Sequence, residues 1–390
     1  QLDVDQGMEY LSLSEENSMS VGAGLQPNIV IRSYSTHFSG LNLGPVQANL
    51  ARGDAGHQVS FQTAFGGGRV DLHNPGAGFP VNFEWLDLKT LPQPSAGDQA
   101  GSGMELYDPS QLIGLQLSVA EMYFGDRPLG QWSFQLEPLP QGAQLNRIQA
   151  SFVGGSIDAQ EDNHLTWVLD EAGGHSSQLQ LRTEIANVAD LFEMFDQPRA
   201  MTSQGGELQL DMNWSGAPWQ AELEQTNGLA QLNLRQGNFN AEMQGVNSGM
   251  MKLVGLVNIQ NWGRRLQFDF SDLTGDGTAY DSLSADVQLA GGSVVTNKPV
   301  DINLATGRLR LDGEFDLIAN QVEGHLVANL PVRDNLTWIT GVVAGLPAAA
   351  GVWLFGELFK DELESFARVT YRVSGSLEAP QIEAQAAEDI

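Results

Sequence analysis

The chain has 390 residues, of which 42% are apolar, enough to bury a large core. Its 19 basic and 48 acidic residues give a formal net charge of −29, which argues against a nucleic-acid partner and against simple electrostatic docking on anionic lipid. The absence of cysteine excludes a disulfide framework, a zinc–thiolate site and a thiol nucleophile. No signal peptide or N-terminal membrane anchor is visible after Gln1, so we expect a processed chain or a part of a longer one.

Most of the chain alternates apolar and polar residues, the pattern of half-buried β-strands. In residues 206–214, for example, Leu208, Leu210 and Met212 alternate with Gln209 and Asp211. Pairs and triplets of glycine are typical of turns between such strands. The turns predicted on this basis are at residues 66–68, 154–155, 173–174, 205–206 and 291–292.

Two stretches break the alternation with helical spacing, and one stretch reads as a linker. Residues 187–197 predict a helix that stops before Pro198, and residues 334–367 predict C-terminal apolar and amphipathic helices. We therefore predict this order along the chain: a β-sheet segment over 1–91, a loop or linker over 92–106, a β-sheet repeat over 107–186, a helix over 187–197, a β-sheet segment over 199–332, the helices over 334–367, a final strand over 368–384 and a tail over 385–390.

The apolar face of so many strands needs a cover that two helical segments cannot supply. The sheet must close on itself as a sandwich or barrel, or curl into a trough whose inner face holds something apolar. On pattern alone the sandwich is favoured, and the trough remains as the alternative.

The C-terminal stretch from Asn335 to Gly356 runs 22 residues without a charge. Gly345 and Pro347 interrupt it, so two shorter helices are favoured over one long helix. Three roles stay open: contact with a membrane, a cap on the end of the sheet, and a true membrane span. The residues predicted to contact a membrane are Leu336, Trp338, Ile339, Val342, Val343, Val352, Trp353, Leu354, Phe355, Leu358 and Phe359.

No pattern of catalytic residues is present. The six histidines are scattered, and neither a phosphate-binding loop nor a nucleophile elbow occurs. Carboxylates are so frequent that no acid–base pair stands out. We predict no catalytic residue, no metal site and no cofactor.

From Gly205 to Glu383 the order of motifs resembles the C-terminal region of the bacterial AsmA-like family, and within it the YhdP group. The motifs that carry the resemblance are WSGAP at 214–218, MMKLVGLVNIQNWGRRLQFDFSDL at 250–273, GTAYDS at 277–282 and RVTYRVSGSLEAPQIE at 368–383. Residues 115–167 also look similar to the family, whereas residues 1–100 share only the general character of its sequences and no specific motif.

The resemblance implies a periplasmic protein with an elongated, curled antiparallel β-sheet that forms an apolar groove. It implies transfer of phospholipids between the inner and outer membranes, with an N-terminal inner-membrane anchor that this chain lacks and C-terminal helices near the outer membrane. No nucleic acid is expected as a partner. The residues expected to line the lipid groove are Leu208, Leu210, Met212, Leu266, Phe268, Phe270, Val287, Leu289, Leu309 and Leu311.

Two other functions remain compatible with the sequence. The first is a non-catalytic assembly or structural factor of the cell envelope that binds protein partners through exposed β-sheet edges. The second is a secreted β-sandwich that binds carbohydrate, which would need exposed aromatic platforms. An enzyme has the weakest support.

Overall fold

The computed structural model describes residues 2–3, 29–38, 41–53, 56–72, 78–91, 108–170, 172–239, 278–304, 307–331, 366–377 and 380–385. The chain divides into two compact units, one of residues 1–182 and 213–221 and one of residues 183–212 and 222–390. Regular structure in the described residues is mostly antiparallel β-strand, as the alternating sequence predicts.

The first unit is built from strands that mostly pair with their neighbours in sequence. They are β1 (Leu2–Asp3), β2 (Ile29–Phe38), β3 (Leu41–Gly53), β4 (Gly56–Gln62), β5 (Gly66–Asp71), β6 (Phe79–Asp87), β7 (Leu115–Phe124), β8 (Arg127–Leu139), β9 (Gly142–Phe152), β10 (Gly155–Ile157), β11 (His164–Leu169) and β12 (His175–Ile185), whose end falls in the second unit's range. Pairing is antiparallel from β2 to β6 and from β7 to β9, and β9 also pairs with β10 and β11. The β1–β2 and β6–β7 pairs are parallel.

Short 3-10 turns lie at Leu88–Thr90, Pro109–Gln111 and Pro218–Gln220 of this unit. Asp87 caps the first of them, because its carboxylate accepts the backbone N–H of Lys89 at 2.9 Å. The same carboxylate accepts the N–H of Gly125 at 2.8 Å, which ties the β7–β8 turn to the end of β6. The hydrogen bond from Gly125 is the main reason that the pKa of Asp87 lies below its usual value.

The strand register of the first unit separates an apolar face from a polar one. Residues directly opposite each other on successive strands share a face, so a single row can be followed across the sheet. One apolar row consists of Ile29, Leu50, Val59, Val70, Val81, Leu117 and Phe134. The row beside it on the other face consists of Asn49, Ser60, Arg69, Asn82, Ser118, Ser133 and Gln149.

The glycine triplet at 66–68, predicted as a turn, instead forms the start of β5. The turn lies before it, where the Thr63 hydroxyl accepts the N–H of Gly66 at 2.9 Å. Gly68 lies opposite both Phe61 and Phe83, whose rings meet edge to face with centroids 5.3 Å apart. The missing side chains therefore give two aromatic rings room to pack across the strand, which a turn signal read from sequence does not reveal.

The second unit contains a run of long antiparallel strands and one α-helix in its described part. The strands are β13 (Gly206–Ser215), whose end falls in the first unit's range, β14 (Thr226–Phe239), β15 (Thr278–Ala290), β16 (Ser293–Leu304), β17 (Gly307–Asp316), β18 (Gln321–Pro331), β19 (Phe366–Ser376) and β20 (Gln381–Gln385). From β14 to β20 each strand pairs with the next. A 3-10 turn at Leu223–Gln225 precedes β14.

The helix predicted over 187–197 is present as α1 (Val188–Met194). Asn187 caps it, since its side-chain oxygen accepts the backbone N–H of Ala189 at 3.1 Å. Phe195 lies just beyond the last helical residue and is 64% exposed.

The core of the second unit is a buried row that crosses six strands. Leu234, Leu283, Ile302, Leu309, Ala328 and Val369 lie opposite one another in order and belong to one apolar cluster. Leu191 and Phe192 of α1 are packed against this cluster. The helix therefore covers part of the apolar face.

The end of the chain differs from the single final strand predicted over 368–384. Residues 366–376 form β19 and residues 381–385 form the antiparallel β20. Gly375, near the end of β19, has a positive φ of 94°, and Pro380, just before β20, cannot donate a backbone hydrogen bond. The predicted linker at 92–106 and most of the predicted helical segment at 334–367 lie outside the described residues.

Candidate functional site

Seven of the ten residues predicted to line a lipid groove lie among the described residues, all in the second unit. Leu208, Leu210 and Met212 lie on β13, and the other four lie on β15 and β17. Leu266, Phe268 and Phe270 lie outside the described residues, as do all the residues predicted to contact a membrane, which fall between 336 and 359.

These seven residues divide into two environments. Leu309 and Leu311 are 2% and 8% exposed and belong to the core cluster. The remaining five, Leu208, Leu210, Met212, Val287 and Leu289, are half-buried. Leu309 and Leu311 are therefore core residues in this structure, whereas the others keep part of their apolar surface accessible.

The half-buried residues on β13 and β15 come together across β14. Leu289 lies opposite Gly228 on β14, and a side chain added at Gly228 would meet the backbone of Met212 on β13. On the other side, Leu289 lies opposite Val294, and Val294 lies opposite Phe315. Of the predicted residues, Met212 and Leu289 thus lie in one row with Val294 and Phe315, and this row is less buried than the row through Leu309.

Sequence reasoning missed several residues of the same face. Ile302, Leu326 and Tyr371 complete the apolar rows beside Leu309 and Leu311, and all three are at most 8% exposed. The strands that carry these three residues alternate apolar and polar side chains as clearly as β13, β15 and β17 do. The same alternation could therefore have identified them. Which residues adjoin one another depends on strand register, which the alternation does not give.

Two open depressions lie on the polar faces rather than on the apolar ones. In the first unit a depression of about 440 Å³ is lined by Arg69, Asn82, Ser118, Ser133 and Gln149, among others. The Ser118 hydroxyl donates to the Asn82 side-chain oxygen there at 2.6 Å. In the second unit a depression of about 540 Å³ is lined by residues of β14 to β17, most of them polar.

Asp301 lines the second depression and forms ion pairs with two arginines. Its carboxylate accepts hydrogen bonds from Arg308 Nε at 2.7 and 2.9 Å and from Arg310 Nε at 3.3 Å. Burial raises the pKa of Asp301, but the hydrogen bonds and charges of the two arginines outweigh burial and hold the pKa below its usual value. The arrangement is an ion-pair network between β16 and β17.

Tyr280 and Tyr371 lie on the apolar side, and burial raises the pKa of each to about 12. The Tyr280 hydroxyl donates to the backbone oxygen of Thr202 at 2.6 Å. Both phenols are therefore neutral near pH 7.

A pH-dependent loss of stability should follow from these tyrosines. An unfolded tyrosine ionises near pH 10, whereas the folded side chains keep their protons to about pH 12. Between these values the folded state holds more protons than the unfolded state, so stability falls as pH rises. Urea midpoints measured from pH 9 to pH 11 should fall less steeply in Tyr371→Phe than in the wild type, and Tyr34→Phe, at a 93% exposed position, should match the wild type. Equal slopes in Tyr371→Phe and the wild type would contradict this prediction.

Within the described residues, no group of three or more histidine and acidic side chains is placed to hold a metal ion. In that same part of the chain, no helix combines the length and the apolar character needed to span a membrane.

Comparison with known proteins places the chain in a family. The sequence profile of the family described as "YhdP protein" matches residues 1–382, nearly the whole chain. The chain belongs to the YhdP family. A curated relative, the intermembrane phospholipid transporter YhdP of Escherichia coli strain K12, is 23% identical over 221 residues, which is 55% of this chain. The match spans 17% of that relative's length. No solved structure matches the chain significantly.

Proposed function

We propose that this chain is the distal part of a periplasmic bridge that carries phospholipids through a hydrophobic β-groove between the inner and outer membranes of a Gram-negative bacterium, without catalysis. Membership of the YhdP family supports the proposal, because the Escherichia coli relative is named an intermembrane phospholipid transporter. The C-terminal apolar segment is proposed to meet the outer membrane.

The observation that carries the proposal is the partial burial of apolar rows over many consecutive strands. In the first unit Leu50, Val59, Val70, Leu117 and Phe134 lie in one row and are half-buried, whereas Val81, between Val70 and Leu117 in that row, is 8% exposed. A filled sandwich core would remove such side chains from solvent almost completely. Rows of this kind can instead receive acyl chains along their accessible surface.

The physical gain from such rows is large enough to explain transport without chemistry. Exposing a lipid tail of about 15 methylenes to water costs on the order of 12 kcal/mol, at about 0.8 kcal/mol for each methylene. A continuous apolar surface lowers this barrier without needing a specific set of polar groups. The polar opposite face and the net charge of −29 favour solubility of a long sheet.

Phospholipid should copurify with the chain, and charges placed on the half-buried row should remove it. The double variant Val287→Asp and Leu289→Asp puts two carboxylates on the apolar side of β15, where a lipid tail cannot solvate them. We expect at least about a tenfold loss of bound phospholipid, measured by mass spectrometry after gentle purification.

The matched control is Gln288→Asp, on the same strand but on the exposed opposite face. It should retain wild-type lipid, and circular dichroism should show that all the variants are folded. A wild-type chain free of phospholipid would refute the proposal, and so would a folded double variant that keeps its lipid.

A second candidate function, binding of a protein partner at a sheet edge, is favoured by β2. Ile29, Val30 and Ile31 are 46%, 56% and 37% exposed, and Tyr34 is 93% exposed. Within the described residues, β1 pairs with β2 only at Thr36 and His37, so the backbone of 29–35 has one unpaired edge. Val30→Lys should abolish partner binding by strand addition and leave bound lipid unchanged, which separates the two functions.

A further inference from the structure

Basic residues are concentrated at one end of the second unit's strands. At the end formed by Phe239, Leu304, Pro331 and Phe366, the outer polar face carries four arginines, Arg235, Arg308, Arg310 and Arg368, here called the basic end. The acidic residues among the described strand positions at this end are Asp281, Asp301 and Glu207, the last on β13 two residues after Gly205, whose carbonyl accepts the backbone N–H of Arg235. A chain with a net charge of −29 therefore has a local excess of positive charge.

The opposite end of the same strands is acidic on the same face. There the described strands carry seven carboxylates, at Asp211, Asp286, Asp312, Glu314, Asp316, Glu323 and Glu383, against two cations, at Lys298 and Arg372. Lys298 and Arg372 are each held by a carboxylate, at 2.9 Å from Asp286 and 2.6 Å from Glu323. The charge thus changes sign along the length of the strands.

The arginines of the basic end are close in register and are only partly neutralised. Arg308 on β17 and Arg368 on β19 both lie opposite Asn329 on β18, so they occupy one row across three strands. Asp301 is shared between Arg308 and Arg310. Arg368 is exposed, and among the described residues it has no ion-pair partner.

The basic end is also where the uncharged C-terminal segment joins the sheet. Pro331 at the end of β18 lies opposite Phe366 at the start of β19, and residues 332–365 connect them in sequence. This connection contains the stretch from Asn335 to Gly356 without a charge. Arg368 follows only two residues after the chain re-enters the sheet, so the arginines lie at the end of the sheet where this connection leaves and returns; its residues 357–365 carry four acidic residues and one lysine.

We propose that the basic end binds the phosphate groups of a phospholipid bilayer surface. Guanidinium groups pair with phosphate through charge-assisted, often bidentate hydrogen bonds, and basic residues beside apolar membrane segments are attracted to anionic lipid. The net negative charge of the chain would by itself repel it from an anionic bilayer, so attraction must come from a local cluster of positive charge such as the basic end. The inference rests on the proposed function, because it gives the lipid-carrying sheet an orientation with its basic end toward a membrane.

The test is flotation of the full chain with vesicles of phosphatidylcholine, with and without phosphatidylglycerol. The wild type should bind the vesicles that contain phosphatidylglycerol more tightly, and added salt should weaken the difference. The double variant Arg310→Gln and Arg368→Gln should lose about fivefold in affinity for each arginine, or about 25-fold together. It keeps the Arg308–Asp301 pair, which favours a folded sheet.

The matched control is Arg372→Gln, which removes the same charge from the same strand and face at the acidic end. It should change vesicle binding by less than about twofold, since the charge is distant from the basic end. Equal binding by the wild type and the double variant would overturn the proposal, and so would an equal loss in Arg372→Gln.

The outcome is separable from that of the lipid-carrying function. If phospholipid copurifies but the arginine variants bind vesicles as the wild type does, the proposed membrane contact is refuted and the proposed phospholipid transport is not. If the arginine variants lose vesicle binding but no phospholipid copurifies with the wild type, the proposed phospholipid transport is refuted and the proposed membrane contact is not.

Discussion

Leu309→Ala is expected to lower the free energy of unfolding by about 3 kcal/mol. Leu309 is 2% exposed and lies between Ile302 and Ala328 in the buried row. Removing three carbon atoms there loses the transfer free energy of the side chain and leaves a cavity, because strands on both sides hold their positions by backbone hydrogen bonds. Equilibrium unfolding in urea, followed by far-ultraviolet circular dichroism, measures the change.

The matched control is Leu229→Ala, at a position that is 45% exposed on the outer face of β14. The same atoms are removed, but little apolar surface returns to water, so the cost should stay below about 1 kcal/mol. If the two variants were equally stable, Leu309 would not belong to a filled core. The accessible row and the buried row would then be one open surface.

The difference between these rows bears on where lipid could travel. On the apolar face of the second unit, the row that contains Leu309 is buried, whereas the row that contains Leu289 is half-buried. Truncation in the buried row should therefore act mainly on stability. Charges in the half-buried row should act mainly on bound lipid, so the two sets of variants together divide the face into structural and transport surfaces.

Strands and the helix could be predicted from sequence because each depends on local spacing. The alternation of Leu208, Leu210 and Met212 predicts β13, and Asn187 before an apolar helical pattern predicts the start of α1. Details set by neighbouring strands could not be predicted in this way. The glycines at 66–68 act as space for Phe61 and Phe83, and neither ring's position follows from the glycine sequence alone.

The candidate site shows the same division between local and non-local information. Alternation identifies which side chains of β15 and β17 are apolar, but the degree of burial depends on what lies across the sheet. Leu311 packs among residues of β16 and β18, whereas Leu289 lies opposite Gly228, which contributes no side chain. The charge reversal along the strands was equally invisible, because arginines that are far apart in sequence, such as Arg308 and Arg368, meet only through register.

Gly68→Ala is expected to destabilise the first unit by about 2 kcal/mol. A side-chain carbon at Gly68 would overlap the backbone oxygen of Asn82 and the Cα of Phe83 on β6. Backbone atoms cannot rotate away as a side chain can, so β5 and β6 must separate next to the register shift between Gly67 and Gly68. That movement weakens hydrogen bonds and separates the rings of Phe61 and Phe83.

Gly114→Ala provides the control, because the added carbon there would meet its nearest neighbours at 3.6 to 3.9 Å, which is ordinary van der Waals contact. Restricting the unfolded chain without strain should leave stability unchanged or raise it by up to about 1 kcal/mol. Hydrogen exchange followed by mass spectrometry on peptides covering residues 56–87 localises the effect. Protection of β5 and β6 should fall in Gly68→Ala and persist in Gly114→Ala, because only the first substitution forces two paired strands apart. Equal protection in both variants would mean that the sheet tolerates a side chain at Gly68. The close packing of β5 on β6 would then not require glycine at this position.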